Sequence, residues 1–232
     1  MKLFSKLTES LSLNGVHATQ GVASTPPSHD AELPRGDTNE NPAGIGLLAL
    51  LAEDFRTYDA SLTQPGFWAV AAHRFGNARM DVKSKVLRAP LTLVYDAMFL
   101  GINWAWGIDL PYVVKLGRRV RIWHHGGMVF GARAIGDDVH IRHNTTFGIM
   151  ERSADTKKPI IGNRVDIGAG AAILGAVTVG DDCVIGANSV VLRDLPAGST
   201  VLGVPARPVN LKPTEVPRPA GIDPAAPGRA PT

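Results

Sequence analysis

The sequence predicts a mainly β protein in which a helical segment precedes a parallel coil of short strands. Apolar residues recur six apart from Leu110 onward, whereas upstream of that point they fall at helical spacing. Glycine recurs through residues 101–203, while proline crowds the two ends. These observations predict a repetitive folded middle and irregular ends.

The six-residue period is carried by large aliphatic or Phe residues. They are Leu110, Leu116, Ile122, Phe130, Ile135, Ile141, Phe147, Ile161, Ile167, Ile173, Val179, Ile185 and Val191. A helix would not hold this period on one face, but a coil of three short strands and three turns would. One such coil cannot bury its apolar edge alone, so successive coils must stack. The single cysteine, Cys183, falls at an inward small position and is predicted to be a core thiol.

Composition excludes several classes of protein. The chain has 232 residues, of which 44% are hydrophobic and 19% charged, which is typical of a soluble protein of one or two domains. A net charge of +3 is too weak to indicate nucleic-acid binding. Residues 1–13 contain two lysines but no apolar run long enough for a signal peptide. We expect a cytoplasmic protein with no nucleic-acid partner.

The chain divides into four predicted parts. Residues 1–42 form a disordered arm, because most of them are Ser, Thr, Pro, Asn, Gly and acidic residues without an apolar period. Residues 43–106 form the helical segment and residues 107–211 the β-helix domain. Residues 212–232 form a disordered tail rich in Pro and Ala.

Three helices are predicted in the helical segment. The first lies between Ala43 and Leu62, and the second starts at Pro65 and stops at Gly76-Asn77. The third runs from about Val82 towards Trp104, and Pro90 should kink or split it.

One stretch, Leu91–Ile108, is apolar enough to be weighed as a membrane segment. It contains Asp96 and Asn103 and is barely long enough for a bilayer. A central Asp costs roughly 2.5 to 3.5 kcal/mol on insertion scales. The stretch therefore favours a buried or trimer-contacting helix, with an interfacial membrane helix as the alternative, and at most a peripheral membrane contact.

Irregularities in the repeat mark where functional groups should gather, since a regular wall offers no pocket. The interval Ile122–Phe130 is eight residues long instead of six, and it contains His124-His125-Gly126-Gly127. The interval Phe130–Ile135 is five residues long. The interval Phe147–Ile161 is fourteen residues long and extrudes a loop.

Several motifs together resemble the serine acetyltransferase branch of the hexapeptide-repeat acyltransferases, over about 165 residues. They are Gln64-Pro65-Gly66-Phe67 through His73-Arg74-Phe75-Gly76, Gly107-Ile108-Asp109, His124 after Ile122, Gly127 to Gly131, Ile135-Gly136-Asp137-Asp138-Val139, Ile167-Gly168-Ala169-Gly170-Ala171, and Gly203-Val204-Pro205-Ala206-Arg207. The resemblance implies a left-handed parallel β-helix, acetyl-CoA as the acyl donor, and a homotrimer with active sites between two prisms.

The chain also departs from that branch. Serine acetyltransferases carry an Asp before the catalytic His, where this chain has Trp123, and a Gly-Glu pair soon after, where it has Gly131-Ala132. Their extruded loop ends Arg-His-Pro, and here it ends Lys157-Lys158-Pro159. The His-x-Gly-Gly sequence without a preceding Asp is similar to the serine-acetyltransferase-like proteins that make exopolysaccharide and capsule.

Acetyl transfer to a hydroxyl needs a base, because a neutral alcohol is a poor nucleophile. Imidazole has an unperturbed pKa of about 6.5 and typically contributes about 10²- to 10⁴-fold as a general base. The resemblance places His124 in this role by register, with His125 as the alternative. Another group must fix the tautomer of the ring in place of the missing Asp.

The remaining site residues are expected around a shallow groove. Residues expected to contact acetyl-CoA are Gly148, Gly168, Ala169, Ala187, Gly203 and Arg207, the last through a phosphate. Residues expected to contact the acceptor are His143, Lys157 and Lys158. His124, His125, His140 and His143 match no known zinc spacing, so no metal is expected. The basic run Lys115, Arg118, Arg119 and Arg121 is expected to be a solvated face.

The leading hypothesis is an acetyl-CoA-dependent O-acetyltransferase acting on a sugar hydroxyl in polysaccharide biosynthesis. The acceptor would be a small molecule or an oligosaccharide. One alternative is a serine O-acetyltransferase of cysteine biosynthesis, and the other is a non-catalytic β-helix scaffold.

Overall fold

A computed structural model describes residues 36–150 and 157–209 of the chain. Its helical segment contains α1 (Leu47–Thr57), α2 (Pro65–Ala78), a 3-10 turn (Arg79–Asp81) and α3 (Lys85–Trp106). The predicted helices are therefore present, and α2 begins at Pro65 as expected. Gly76 lies where the Tyr95 ring of α3 leaves no room for a side chain, so it serves packing between α2 and α3 rather than ending α2.

Helix α3 is continuous through Pro90, so the expectation that Pro90 would split it is wrong. Its first turn is capped by the Ser84 hydroxyl, which accepts a hydrogen bond from Leu87 N, and it ends at Gly107 in the left-handed region. Pro90 removes only the hydrogen bond to Val86 O, and both residues lie on the exposed side of the helix. Water can solvate that carbonyl, while packing of the opposite face holds the helix together.

Fifteen short strands follow α3 in the described chain. They are β1 (Ile108–Asp109), β2 (Lys115–Leu116), β3 (Arg121–Trp123), β4 (Met128–Phe130), β5 (Ala134–Ile135), β6 (His140–Arg142), β7 (Thr146–Gly148), β8 (Ile160–Ile161), β9 (Asp166–Ile167), β10 (Ala172–Leu174), β11 (Thr178–Val179), β12 (Val184–Ile185), β13 (Val190–Val191), β14 (Thr200–Leu202) and β15 (Arg207–Pro208).

These strands form the three walls of a prism. Wall A has the order β1-β4-β7-β10-β13, wall B has β2-β5-β8-β11, and wall C has β3-β6-β9-β12-β14-β15. All pairs are parallel except β14 with β15. Up to β13 each wall takes every third strand, so the chain winds through about five coils of a left-handed parallel β-helix, as the family resemblance implied.

The core of the prism is the predicted inward column. Ile141, Phe147 and Ile167 are fully buried, as are their counterparts in neighbouring coils. Cys183 is also fully buried, with its Sγ 3.2 Å from Pro196 O, and burial raises the pKa of the thiol. The prediction of a structural core thiol is confirmed.

A buried ion pair joins the helical segment to the prism. Arg74 of α2 donates to Asp54 Oδ2 of α1 at 3.0 Å and to the carbonyl of Leu116 at 2.8 Å, and it also bonds the carbonyl of Gly117. Both charged side chains are fully buried. Because Arg74 satisfies two carbonyls at the end of β2, it anchors the helices to the first coil.

Three arginines of the predicted solvated face are instead engaged with the helical segment. Arg121 donates to Thr57 O at 2.9 Å and forms an ion pair with Asp59. Arg118 donates to both carboxylate oxygens of Glu53, and Arg119 bonds Glu53 and Asp138. Burial acts to raise the pKa of Glu53, but these hydrogen bonds and charges outweigh it and hold the pKa below its usual value. Sequence spacing alone could not show that α1 lies against the turn that contains Arg118 and Arg119.

Part of the predicted arm is packed on α2. Glu40 N donates to Asn77 Oδ1 at 3.0 Å, and Asn41 Nδ2 donates to Arg74 O at 2.9 Å. Residues 1–35 of the arm and all of the predicted tail lie outside the described residues. Within the described ranges, none of the helices has the length and apolar character needed to cross a membrane.

Candidate active site

One edge of the prism, where wall C turns into wall A, holds most of the predicted site residues. We call it the histidine edge. Its turns are residues 124–127, 143–145, 168–171, 186–189 and 203–206, one on each successive coil. The edge thus aligns segments that are far apart in the sequence.

The lowest turn of this edge contains two extra residues. Trp123 pairs with Arg142 and Val129 with Thr146, so five residues of the first coil stand against three of the second. The extra length is accommodated by left-handed backbone at His124 (φ 63°), Gly126 and Gly127. Non-glycine residues adopt this conformation at a cost, and ordinary turns of the prism do so too, for example at Asp138 and Asn144.

The bulge presents His124 to solvent beside His143 of the coil above. The two exposed rings meet edge to face, with centroids 5.6 Å apart and an interplanar angle of 82°. Neither imidazole has a hydrogen-bond partner among the described residues, whereas the His143 backbone is held by Gly170 N donating to its carbonyl. The structure therefore brings His124, the predicted base, next to His143, which was predicted to contact the acceptor substrate. His125 is also exposed on this turn but has no such ring contact within the described chain.

An aromatic and basic cluster flanks the base on wall C. The Arg121 guanidinium lies 3.9 Å from the centroid of the Trp123 ring, and the His140 ring lies 5.8 Å away. Trp123 Nε1 is buried without a hydrogen-bond partner among the described residues. Burial lowers the pKa of His140, which holds its ring neutral near pH 7.

Small residues continue the histidine edge above His143. Gly168 and Ala169 lie on the third coil, Ala187 on the fourth and Gly203 on the fifth. A side chain at Gly168 would collide with the backbone of Ala187, so this glycine is required by coil stacking. Strands in a sheet lie about 4.8 Å apart, so the column extends about 19 Å from His124 to Gly203. It forms a shallow track, with exposed Arg207 near its upper end.

Three predicted site residues lie elsewhere. Gly148 ends β7, and Lys157 and Lys158 precede β8, so all three lie where wall A turns into wall B. The width of wall A separates them from the histidine edge. A single chain does not bring Lys157 or Lys158 to His124, and residues 151–156 of the loop lie outside the described chain.

Sequence reasoning assigned no role to Asp109, although it quoted the motif that contains it. Asp109 lies outward on β1, which pairs with β4 directly after the histidine turn. Its carboxylate has no hydrogen bond or ion pair among the described residues, and burial raises its pKa. Only the pairing of β1 with β4 places this acid beside the turn that carries His124.

No group of three or more His, Cys, Asp or Glu side chains capable of holding a metal ion occurs within residues 36–150 and 157–209.

Comparisons with known proteins agree with this architecture. Residues 158–193 match the family described as "Bacterial transferase hexapeptide (six repeats)". A serine acetyltransferase of Helicobacter pylori is 39% identical over 154 residues, which cover 66% of this chain and 86% of that protein. The chain belongs to the serine acetyltransferase family.

Solved structures give the same result. A soybean serine acetyltransferase apoenzyme superposes with a TM-score of 0.58 at 30% identity, covering 70% of this chain and 69% of that one. A serine acetyltransferase in complex with CoA gives a TM-score of 0.56 at 29% identity, with the same two coverages. The chain is thus an acetyltransferase. These relatives are all named serine acetyltransferases, so the expected nearer kinship with exopolysaccharide acetyltransferases is not supported by them.

Proposed function

We propose that this enzyme transfers an acetyl group from acetyl-CoA to a hydroxyl, with His124 as the general base. The observation that carries the proposal is the lowest turn of the histidine edge, which holds His124 exposed, in left-handed backbone, at the foot of a track of small residues. A base must reach the proton that it removes, and an exposed imidazole without a hydrogen-bond partner is available to do so.

The track above His124 suits the donor. Ala169, Ala187 and Gly203 lie on three successive coils and offer little side-chain bulk over about 10 Å, so an extended pantetheine arm would meet backbone NH and CO groups there. Arg207 near the upper end would pair with a phosphate of CoA. The thioester would then lie at the lower end, beside His124 and His143.

The acceptor is the point at which the site and the relatives differ. Free serine carries an ammonium and a carboxylate that need charged partners, and Trp123 and Ala132 occupy the positions where serine acetyltransferases carry acids. Arg121, stacked on Trp123, is paired with Asp59 and so does not replace the missing acids. These residues favour an acceptor without an ammonium group, such as a sugar hydroxyl of a polysaccharide precursor.

Serine is the second candidate, and the relatives favour it over a sugar. The matched proteins are named serine acetyltransferases, and one solved relative is a complex with serine. In this chain Asp109 lies beside the turn that carries His124, and its carboxylate, unpaired among the described residues, would bind the serine ammonium.

An acceptor screen separates the two. Thiol release from acetyl-CoA is measured with L-serine, nucleotide sugars and oligosaccharides, and the acetylated product is identified by mass spectrometry. Turnover on a sugar with none on serine supports the first acceptor, and the reverse supports the second. If no hydroxyl compound raises the rate above that with water while CoA binds, the acetyl-transfer proposal is wrong.

We also propose a homotrimer, in which the loop of one prism reaches the histidine edge of its neighbour. Support comes from the separation of Lys157 and Lys158 from His124 across wall A within one chain. Light scattering should give three times the chain mass. Mixed trimers of His124→Ala and Lys158→Ala should regain activity that neither variant has alone, because some sites then combine two intact halves. A monomer mass, or no recovery in trimers shown to be mixed, would refute the shared site.

A further inference from the structure

Strand β3, which leads directly into His124, is an edge strand of wall C. It lies at one end of the strand order, so among the described residues β6 is the only strand paired with it. Arg121 N donates to Val139 O at 2.9 Å, towards that neighbour. The next amide, Ile122 N, points the other way, because alternate amides of a strand face opposite sides. An edge strand leaves such groups unpaired unless another part of the chain covers them.

Tyr58 supplies the missing partner. It follows directly after α1, and its Oη accepts a hydrogen bond from Ile122 N at 2.9 Å. The residue is fully buried, and its ring meets the Phe67 ring of α2 edge to face with centroids 6.1 Å apart. A side chain at Gly66 would collide with Ile122 O, so the start of α2 also lies directly against this strand. The phenol thus takes the place of the carbonyl that a further strand would offer.

The residues on either side of Tyr58 hold the rest of β3. Arg121 Nη1 donates to Thr57 O at 2.9 Å, and the same guanidinium forms an ion pair with Asp59. It also lies 3.9 Å from the centroid of the Trp123 ring. These three consecutive residues at the end of α1 therefore contact all of β3, directly or through Arg121.

This attachment bears on catalysis because His124 is held by its backbone. Its imidazole is exposed and has no hydrogen-bond partner among the described residues, and its one ring contact there is with His143. The place from which it reaches a substrate is therefore set by the strand that enters the turn, which is β3. A misplacement of about 1 Å at a reacting group can cost about 10²-fold in rate, even when its cause lies outside the site.

We propose that Tyr58 is a positioning residue for the catalytic base, and that its hydroxyl fixes Ile122 N so that His124 lies within reach of the acceptor hydroxyl. The inference rests on the proposed role of His124 as the base. Tyr58 acts through the backbone of β3 and does not touch the substrate, since its side chain is fully buried.

A second tyrosine provides a matched control. Tyr95 of α3 is also buried, and its Oη accepts a hydrogen bond from Tyr112 N at 3.1 Å, which is the same kind of link between the helical segment and the first coil. Burial raises the pKa of both phenols, so both keep their protons near pH 7. Tyr112 lies between β1 and β2, where wall A turns into wall B, and not on the histidine edge. Loss of either hydroxyl leaves one backbone amide without its acceptor, but only Tyr58 bonds the strand that enters His124.

The experiment measures Tyr58→Phe and Tyr95→Phe in the full chain, each alone and combined with His124→Ala. Both tyrosine variants should melt at similarly lowered temperatures. Tyr58→Phe should lower kcat about tenfold, with the Kd for CoA and the number of CoA sites per chain unchanged, whereas Tyr95→Phe should change kcat less than about twofold. In the His124→Ala background the loss from Tyr58→Phe should disappear, because a misplaced base has no further effect once the base is gone. A loss caused only by less folded protein would persist there.

The outcomes separate this inference from the proposed function. If His124→Ala itself loses no activity, the assignment of the base is wrong and this inference falls with it. If His124→Ala loses activity but Tyr58→Phe matches Tyr95→Phe, or its loss persists beside His124→Ala, the base stands and the positioning role of Tyr58 is refuted. Should Tyr58→Phe fail to fold, Arg121→Met, which releases β3 from Thr57 O and Asp59, is taken through the same cycle with the same expectations.

Discussion

The two edges that border wall C differ in what their polar side chains do. On the edge between walls B and C, which we call the ladder edge, each coil bonds the next: Arg118 N donates to Asp137 Oδ1, Asp137 N to Asn163 Oδ1, and Asn163 N to Asp181 Oδ1. On the histidine edge the turns stack mostly through backbone bonds, with one side-chain link in which Ser189 Oγ accepts from Gly203 N at 3.1 Å. The imidazoles of His124 and His143 have no hydrogen-bond partners in the described chain. Polar groups used for stability are unavailable for chemistry, so the two tasks occupy different edges.

The largest effect is expected where the ladder edge joins the helices. Arg74→Met leaves Asp54 buried without its partner and leaves two backbone carbonyls without their hydrogen-bond donor. This should cost about 3 to 5 kcal/mol of unfolding free energy. Chemical denaturation measures the loss. The control Arg56→Met removes an exposed arginine and should have little effect. Equal losses would mean that the buried pair is not the anchor.

On the histidine edge the expected effect is catalytic. His124→Ala should lower kcat by about 10²-fold or more and leave the Kd for CoA unchanged, because the proton is transferred only in the transition state. His125→Ala is the matched control and should cost much less. Reversal of the two losses would make His125 the base, and no loss in either would favour a scaffold without catalysis.

A pair of asparagines compares the edges directly. Asn163→Ala removes a link of the ladder and should cost about 1 to 3 kcal/mol of unfolding free energy. Asn188→Gly on the histidine edge removes no side-chain hydrogen bond among the described residues and suits the positive φ there, so its cost should be close to zero. If Asn188→Gly is the more destabilising change, the contrast between the edges is wrong.

The last expected effect concerns pH. Burial and the charge of Arg74 lower the pKa of His73 to about 3, although a hydrogen bond to Val114 O acts in the opposite direction. The unfolded state therefore binds a proton below about pH 6.5 that the folded state excludes down to about pH 3. Stability should fall by up to about 1.4 kcal/mol per pH unit across that window. His73→Gln should flatten this slope in denaturation curves at pH 7, 6 and 5. An unchanged slope would show that other groups cause it.

Much of the prism could be predicted because its periodicity is local. Ile141, Ile167 and Ile185 mark their coils in the sequence, and every coil obeys the same packing rule. The bulge at His124 was also visible, since an interval of eight residues breaks a period of six. What the period could not give was the edge on which each break would lie.

The helical segment shows why other features escaped prediction. An arginine is compatible with a helix on either its buried or its exposed side. Only the contacts of Arg74 with Asp54 and Leu116 O in the folded protein make it a buried anchor. Pro90 was expected to kink or split α3, and the helix is not split there. Arg118 and Arg119 looked solvated until α1 supplied Glu53.

The sequence by itself determined the coil and its apolar core, because a strict spacing of apolar and small residues allows few other ways to bury them. The candidate base came from the resemblance of its motifs to serine acetyltransferases. Tertiary structure decided which residues meet. It placed His143 against His124, aligned Ala169, Ala187 and Gly203 on one edge, and moved Lys157 and Lys158 to another. These contacts join positions one or more coils apart, and their distances depend on how many residues each turn contains and on which wall each strand enters.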